Sequence, residues 1–203
     1  MLSSITPLGE RGRAGRWSVT VTAYVLGSAL GGAAVGTLAG AVGWLLPLEA
    51  AAFATAVLVL LAVAAALAVL VESGMLPRLP TLRRQVDEDW LHRYRGWVYG
   101  FGFGAQLGAG LVTIVTSPTV YLTVVLAVLT GSPGLGATVG LVFGLTRALP
   151  VLKARRVTTT QRLAESHRRL ASREPAGRAV AAAGLVLVAV SSAAQAFVLA
   201  GGR

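Results

Sequence analysis

The side chains that could do chemistry are few, and most lie between residues 96 and 152 of an otherwise apolar stretch. Arg147 is the one charged residue well inside that stretch, and a glutamine precedes a cluster of hydroxyl-bearing residues and a proline. Polar groups inside a membrane commonly mark solute or ion paths. The candidate binding set for a small polar solute is Gln106, Thr113, Thr116, Ser117, Pro118, Thr119 and Arg147.

Each of these residues also has a purely structural explanation. Gln106 could hydrogen-bond between helices, and Pro118 could kink a helix without forming a site. Arg147 lies about 9 Å of helix from Lys153, so its guanidinium could reach the cytoplasmic surface. The alternative for Arg147 is contact with an anion at an inner vestibule.

Catalytic and metal chemistry is not expected. The chain has no cysteine, which excludes thiolate metal sites and thiol–disulfide exchange. His92 and His167 stand apart, without a second ligand at metal spacing. No phosphate-binding loop or zincin motif occurs. We therefore expect no metal, no cofactor and no enzymatic activity.

The composition indicates a membrane protein. Of 203 residues, 55% are hydrophobic and only 13% are charged, and the mean hydropathy is +0.71. Soluble domains carry about 25% charged residues. Long charge-free runs at helical length predict an all-α, polytopic transmembrane helix bundle. The predicted spans are 17–46, 50–71, 96–131, 134–152 and 179–199.

The net charge of +10 is concentrated in three segments. Three of the eighteen Lys and Arg residues precede residue 17, five lie in 73–95 and eight lie in 153–178. Basic residues favour cytoplasmic loops and anionic lipid headgroups, so nucleic acid is not the expected partner. We predict a cytoplasmic basic N-terminal tail (1–16), followed by one transmembrane domain (17–203) with cytoplasmic loops 73–95 and 153–178.

The number of crossings depends on residues 96–131. One crossing broken near Pro118 gives five in total and keeps the three basic segments on one side, with the N-terminus in the cytoplasm. A turn at Pro118 gives six helices, and a re-entrant pair is a third arrangement. Broken backbone at membrane depth is tolerated only inside protein or beside water.

Glycines recur at intervals of four residues in three of the predicted spans. This spacing places them on one helix face, where small residues let helix backbones approach closely. The predicted helix-packing set is Gly32, Gly36, Gly40, Gly100, Gly104, Gly108, Gly136, Gly140 and Gly144.

Residues 102–152 resemble the cytochrome c biogenesis transmembrane family of the CcdA/DsbD type. The resemblance rests on the approach Gly102-Phe103-Gly104, the break at Pro118-Thr119, the turn Gly131-Ser132 and the close Phe143-Gly144-Leu145-Thr146-Arg147-Ala148-Leu149-Pro150. The family passes reducing equivalents through paired membrane cysteines. This chain has none, so the resemblance implies the fold without the electron transfer.

Two functions are consistent with these features of the sequence. The first is a small-solute transporter or permeation protein with a site at the broken helix, in a multi-pass protein of the cell membrane. The second is a non-catalytic membrane scaffold or assembly partner. Besides the bilayer, the expected partners are a small-molecule solute, a membrane protein or a second copy of this chain.

Overall fold

The protein is an all-α helix bundle in the part of the chain that the structure describes. This computed structural model describes residues 5–12, 15–47, 51–76, 94–110 and 119–201, and within them no strand occurs. The α-helices are α1 (Pro7–Gly12), α2 (Trp17–Trp44), α3 (Ala51–Glu72), α4 (Gly96–Ala109), α5 (Thr119–Leu129), α6 (Pro133–Lys153) and α7 (Thr160–Gly201), with a short 3-10 helix at Ala154–Arg156. The predicted fold class is confirmed.

Four of the described helices are long and apolar enough to cross a membrane, namely α2, α3, α6 and α7. Each contains an 18-residue apolar window with at most two charged residues, because the charges of this chain collect in its connecting segments. The hydrocarbon core of a bilayer offers no water to the backbone, so every N–H and C=O group must find a hydrogen-bond partner within the protein. A helix provides these partners within the segment itself, which is why these apolar runs are helical.

Helix α2 lies at the centre of the bundle and packs against α4 and α6. Gly100, Gly104 and Gly108 of α4 meet Thr20, Tyr24 and Ser28 of α2 in the same order, so the two helices are parallel. Residues of α6 meet α2 in the reverse order, from Gly136 at Gly36 to Gly144 at Ser28. Helix α6 is therefore antiparallel to α2.

Helices α4 and α5 follow one another along α2. Helix α4 ends at Gly110, whose φ of +73° lies in the left-handed region that glycine adopts without strain. Helix α5 begins at Thr119, and its end lies beside Gly43, near the end of α2. This is the arrangement of one interrupted crossing. Pro118, where we predict the break, lies outside the described residues, and the total of five crossings stays a prediction.

Helices α3 and α7 pack side by side and antiparallel. Leu61, Ala65 and Ala68 form a buried cluster with Leu185, which Leu122 of α5 joins. At the end of α3, Arg178 donates from Nε to the main-chain oxygen of Glu72 at 3.0 Å. The sequence predicts a loop over 153–178 and a separate span over 179–199, whereas the structure has one helix from Thr160 to Gly201 that continues through Pro175.

The N-terminal segment packs under one end of the bundle. Ile5, Thr6 and Glu10 are buried, and the backbone N–H of Leu8 donates to the carbonyl of Val157 at 3.3 Å. The predicted basic tail therefore contains a short helix, α1, that contacts the 3-10 turn after α6. Its cytoplasmic placement stays a prediction.

Candidate functional site at the helix break

Backbone contact between helices sets the geometry of the site. A Cβ built at Gly36 would overlap the carbonyl oxygen of Gly136, and one at Gly32 would overlap that of Gly140. Ser28 belongs to the same contact between α2 and α6, where its Oγ donates a hydrogen bond to the carbonyl oxygen of Gly144 at 2.8 Å. At this approach no side chain larger than hydrogen fits at these glycines.

All nine glycines of the predicted packing set lie at such contacts on α2, α4 and α6. The structure adds Gly43, whose built Cβ would overlap the carbonyl oxygen of Val128, and it adds Ser28. Both continue the pattern of small residues in α2. A search for small residues of any type, rather than glycine alone, would have found Ser28 in the sequence.

Arg147 points into the bundle and away from the end of α6. Its guanidinium carbon lies 5.4 Å from the ring centre of Phe143, one turn earlier in the helix. Its Nη1 lies 3.5 Å from a Cβ built at Gly110, where α4 ends. Side chains of an α-helix lean towards its N-terminus, so Arg147 leads away from Lys153 rather than towards it. The guanidinium of this partly buried residue therefore lies on the side of Arg147 away from Lys153.

The guanidinium is incompletely paired among the described residues. Nη1 of Arg147 is buried and has no hydrogen-bond partner there. The point that it approaches is shared with Val120 at the start of α5, whose Cγ1 lies 2.9 Å from the same built Cβ at Gly110. Two helix ends and one cation thus meet at the interruption between α4 and α5.

Two further residues of the predicted solute site, Gln106 and Thr119, lie on the helices on either side of the interruption. Gln106 is partly buried on α4, one turn before Gly110, and Thr119 is the first residue of α5. The main-chain oxygen of Thr119 accepts a hydrogen bond from the hydroxyl of Thr123 at 2.8 Å. Four residues of the set lie outside the described residues: Thr113, Thr116, Ser117 and Pro118.

A small cavity lies next to the interruption. It has a volume of about 10 Å³ and is bounded by glycines of α2, α4 and α6 together with Thr123 and Phe143. That is roughly the space of one water molecule. In this conformation the described helices leave no room there for a larger solute. Among the described residues no cluster of three metal-ligating side chains occurs either.

A second polar cluster lies at the end of the bundle that α1 covers. Glu10 is buried, and its carboxylate accepts hydrogen bonds from the hydroxyl of Tyr99 and from Oγ1 of Thr20, the latter at 3.1 Å. One carboxylate thus joins α1, α2 and α4. The sequence did not reveal it, because Glu10 stands among arginines in a segment that reads as a solvated tail.

The comparison with protein families decides what kind of membrane protein this is. A family model for the cytochrome C biogenesis protein transmembrane region matches residues 3–196. The chain belongs to that family. The match confirms the resemblance seen in residues 102–152 and extends it over nearly the whole chain, so the protein is an integral membrane protein of the cytochrome c biogenesis transmembrane family.

Individual relatives carry a different name within this family. The chain is 32% identical over 151 residues to the methylamine utilization protein MauF of Paracoccus versutus, which covers 74% of this chain and 55% of the relative. It is 30% identical over 199 residues to MauF of Methylobacillus flagellatus, covering 95% of this chain and 67% of the relative.

The chain spans about half the length of two curated relatives that it matches, the proteins from Paracoccus versutus and Methylophilus methylotrophus. No solved structure matches the chain. The family membership of this chain therefore rests on its sequence match.

Proposed function

We propose that this protein is a non-catalytic membrane assembly partner that binds a second protein through the first part of α7. We call residues 160–178 the arginine arm. The observation that carries the proposal is the exposure of this arm. Every residue from 168 to 177 is exposed, so no face of the helix is covered there by the rest of the described chain.

The arm extends beyond the helix that α7 packs against. Helix α3 ends at Glu72, and Arg178 contacts that residue, so the preceding part of α7 continues past the end of α3. Eighteen helical residues correspond to about 27 Å. A helix with no apolar face to bury in its own chain is characteristically one that bridges to another domain or partner.

The charge of the arm specifies the chemistry of the partner. Five arginines stand against two glutamates between residues 160 and 178. The ion pair within the arm, between Arg169 and Glu165, is highly exposed and so contributes little to stability. The remaining positive charge favours a protein with an acidic surface on the side of the membrane where the arm lies.

The family supports a role in assembly. Its name refers to cytochrome c biogenesis, and the MauF relatives are named for methylamine utilization. Without cysteine the chain cannot pass reducing equivalents through thiols. We infer that it contributes binding to a maturation system, and that its glycine-packed bundle holds the arm in a fixed position.

Site-specific crosslinking in native membranes tests this function. A photoreactive residue at Ser172, which lies on the arm, should give a protein adduct of constant mass. The matched control is Val142, an exposed apolar residue in α6 that faces outward from the bundle. It should give lipid adducts. Lipid adducts alone at both positions would contradict the proposal.

Charge reversal tests whether the arm itself, and not the net positive charge of the protein, recruits the partner. The double substitution Arg168→Glu and Arg169→Glu should remove the adduct from Ser172. Arg155→Glu, at an exposed position before the arm, should leave most of it. Equal loss in both variants would mean that net charge, and not the arm, recruits the partner.

A second candidate function is a permeation protein for a small solute, which the interruption between α4 and α5 favours. Discontinuous helices often build solute sites in transporters. In proteoliposomes this function predicts a flux that Gln106→Leu reduces at least several-fold. No flux across a broad panel of small solutes would leave assembly as the function of the chain.

A further inference from the structure

The end of helix α3 is closed partly by its own chain and partly by α7. The last carbonyl groups of a helix have no partner within the helix itself. Gly74, with a φ of +82°, turns the chain through the left-handed region that commonly ends helices. After this turn the N–H of Met75 donates to the carbonyl of Leu70 at 2.9 Å, and the N–H of Gly74 donates to that of Val71 at 3.1 Å. The carbonyl of Glu72, the last residue of α3, is capped from α7 instead.

Arg178 of α7 supplies this cap. Its Nε donates to the main-chain oxygen of Glu72 at 3.0 Å, and its Nη2 donates to the same oxygen. The nearer carboxylate oxygen of Glu72 lies 4.0 Å from Nε, so the closer contact is with the main chain. The C-terminal end of a helix carries partial negative charge, which stabilises a cation there. Because the guanidinium is planar and rigid, two donors on one oxygen fix the direction of the contact as well as its length.

The packing between α3 and α7 beyond this cap is less specific. Leu61, Ala65 and Ala68 of α3 share a buried apolar cluster with Leu185 of α7. Lipid tails are as apolar as these side chains, so such packing offers little resistance when one helix slides along the other. A shift by one helical turn moves a side chain by about 5 Å, which is enough to break the hydrogen bonds of Arg178.

Arg178 also lies where the arginine arm begins to project from the rest of the molecule. Every residue from 168 to 177 is exposed, and Arg178 is the first residue after them that is partly covered. Pro175, three residues earlier, has no N–H to donate to the preceding turn, so α7 is weakened at that point. The contact of Arg178 with α3 therefore holds α7 directly behind its weakest turn.

We propose that Arg178 is the positioning residue of the arginine arm. By capping the end of α3 it sets the depth and the direction at which the arm leaves the bundle. The purpose of this positioning rests on the proposed assembly function, whereas the contact itself belongs to the free protein. The arginines of the arm then divide by role, since Arg178 holds the arm while the exposed Arg168, Arg169 and Arg173 are available to the partner.

A distance measured between two spin labels in the purified full-length protein tests this role. The labels are attached to cysteines introduced at Ser172 in the arm and at Val63, an exposed residue of α3, and the chain has no native cysteine to compete. Residue 63 lies nine residues before the end of α3 and residue 172 lies six residues before Arg178, which separates them by about 22 Å along the helices. We expect one narrow distance distribution, which Arg178→Gln broadens or shifts by about 5 Å, one helical turn.

Two control variants separate the cap from general effects of charge. Arg173→Gln removes the same charge from an exposed position of the arm and should leave the distance distribution unchanged. Glu72→Gln removes the carboxylate but keeps the main-chain oxygen, so it should also leave the distribution unchanged. A change in Glu72→Gln as large as that in Arg178→Gln would overturn the proposal, because the ion pair would then position the arm. An unchanged distribution in Arg178→Gln would overturn it as well.

Arg178→Lys provides the folded comparison should Arg178→Gln not fold. Lysine keeps the charge and can donate to the same oxygen, but it lacks the planar fork of donors. Its distance distribution should keep the mean of the wild type and be wider. A distribution identical to that of the wild type in Arg178→Lys would contradict a role for the fork.

Crosslinking from a photoreactive residue at Ser172 supplies the functional readout. In native membranes Arg178→Gln should lower the yield of the protein adduct several-fold although Arg168, Arg169 and Arg173 are intact, and Arg178→Lys should recover most of it. Absence of the adduct in the wild type would end the assembly function without altering the distances. Wild-type distances in Arg178→Gln would end the positioning role without affecting the assembly function.

Discussion

At the scale of single residues, the most consequential side chain is a carboxylate that joins three helices. Glu10 of α1 accepts hydrogen bonds from Thr20 of α2 and Tyr99 of α4, and all three residues are almost fully buried. The neighbouring glycines preserve this contact. A Cβ at Gly96 would lie 2.6 Å from Oγ1 of Thr20, and one at Gly15 would overlap the carboxylate.

Loss of this carboxylate should destabilise the bundle. Glu10→Ala removes the carboxylate that accepts hydrogen bonds from two buried hydroxyl groups, at a cost of about 2–3 kcal/mol. Tyr99→Phe removes one donor and should cost about 1–1.5 kcal/mol. The free energy of unfolding in mild detergent measures both. Glu165→Ala, in the exposed pair of the arginine arm, should change it by less than about 0.5 kcal/mol; equal effects at residues 10 and 165 would refute the structural role.

The direction of the Arg147 side chain could not be predicted from its position in the sequence alone. Its distance along α6 from Lys153 is correct, yet the side chain leads the other way. The reason is the lean of helical side chains towards the helix N-terminus, and the N-terminus of α6 lies at the far end of the bundle from Lys153. The burial of Glu10 could not be predicted, because it depends on contacts between segments distant in sequence.

At the scale of elements, glycine determines how closely the helices pack. Helix α2 has a small-residue face towards α4 and another towards α6, and on both faces backbone meets backbone. Lipid tails are as apolar as leucine, so helices in a membrane gain little from burying large side chains against each other. Close packing and contacts such as that of Ser28 with Gly144 supply the attraction instead.

The same substitution should therefore have opposite effects at two glycines. Gly36→Ala places a methyl group on the carbonyl oxygen of Gly136 and should cost about 1–3 kcal/mol through overpacking. At Gly184 of α7 nothing lies within 4 Å of a built Cβ. Gly184→Ala should be neutral or stabilising by up to about 1 kcal/mol, because alanine favours the helix.

Unfolding free energies of the two variants, measured side by side, check this prediction. Both substitutions add one methyl group to a membrane helix, so differences in hydrophobicity cancel. A stable Gly36→Ala variant would mean that α2 and α6 are farther apart in the membrane than described here.

At the scale of the whole molecule, the sequence predicts the membrane environment, most of the long helices and the family. Long charge-free runs predict where α2, α3 and α6 lie, and the four-residue spacing of glycines predicts the faces on which α2, α4 and α6 pack. The sequence does not predict that α7 continues from the arm into its apolar part. Pro175 and the change from polar to apolar residues both suggest a boundary there, but a helix tolerates one missing N–H when its neighbours keep their bonds.

The topology makes one further prediction for the whole chain. The arginine arm and the turn between α5 and α6 lie at opposite ends of α6, so they should lie on opposite sides of the membrane. Single cysteines at Ser172 and at Thr130 should react with a membrane-impermeant thiol reagent from opposite sides in oriented vesicles. The wild-type chain has no cysteine and supplies a blank. Labelling of both positions from one side would rule out the arrangement of α6 as a full crossing.

The central place of α2 also has a consequence for biosynthesis. Ser28 and its partner Gly144 are 116 residues apart in the chain. At about 5–20 residues per second, the ribosome needs on the order of ten seconds to make the intervening segment. During that interval α3, α4 and α5 are synthesised, whereas α6, which covers the Ser28 side of α2, is not yet complete. The side of α2 that packs against α6 therefore stays exposed to lipid or to the insertion machinery until translation has passed residue 153.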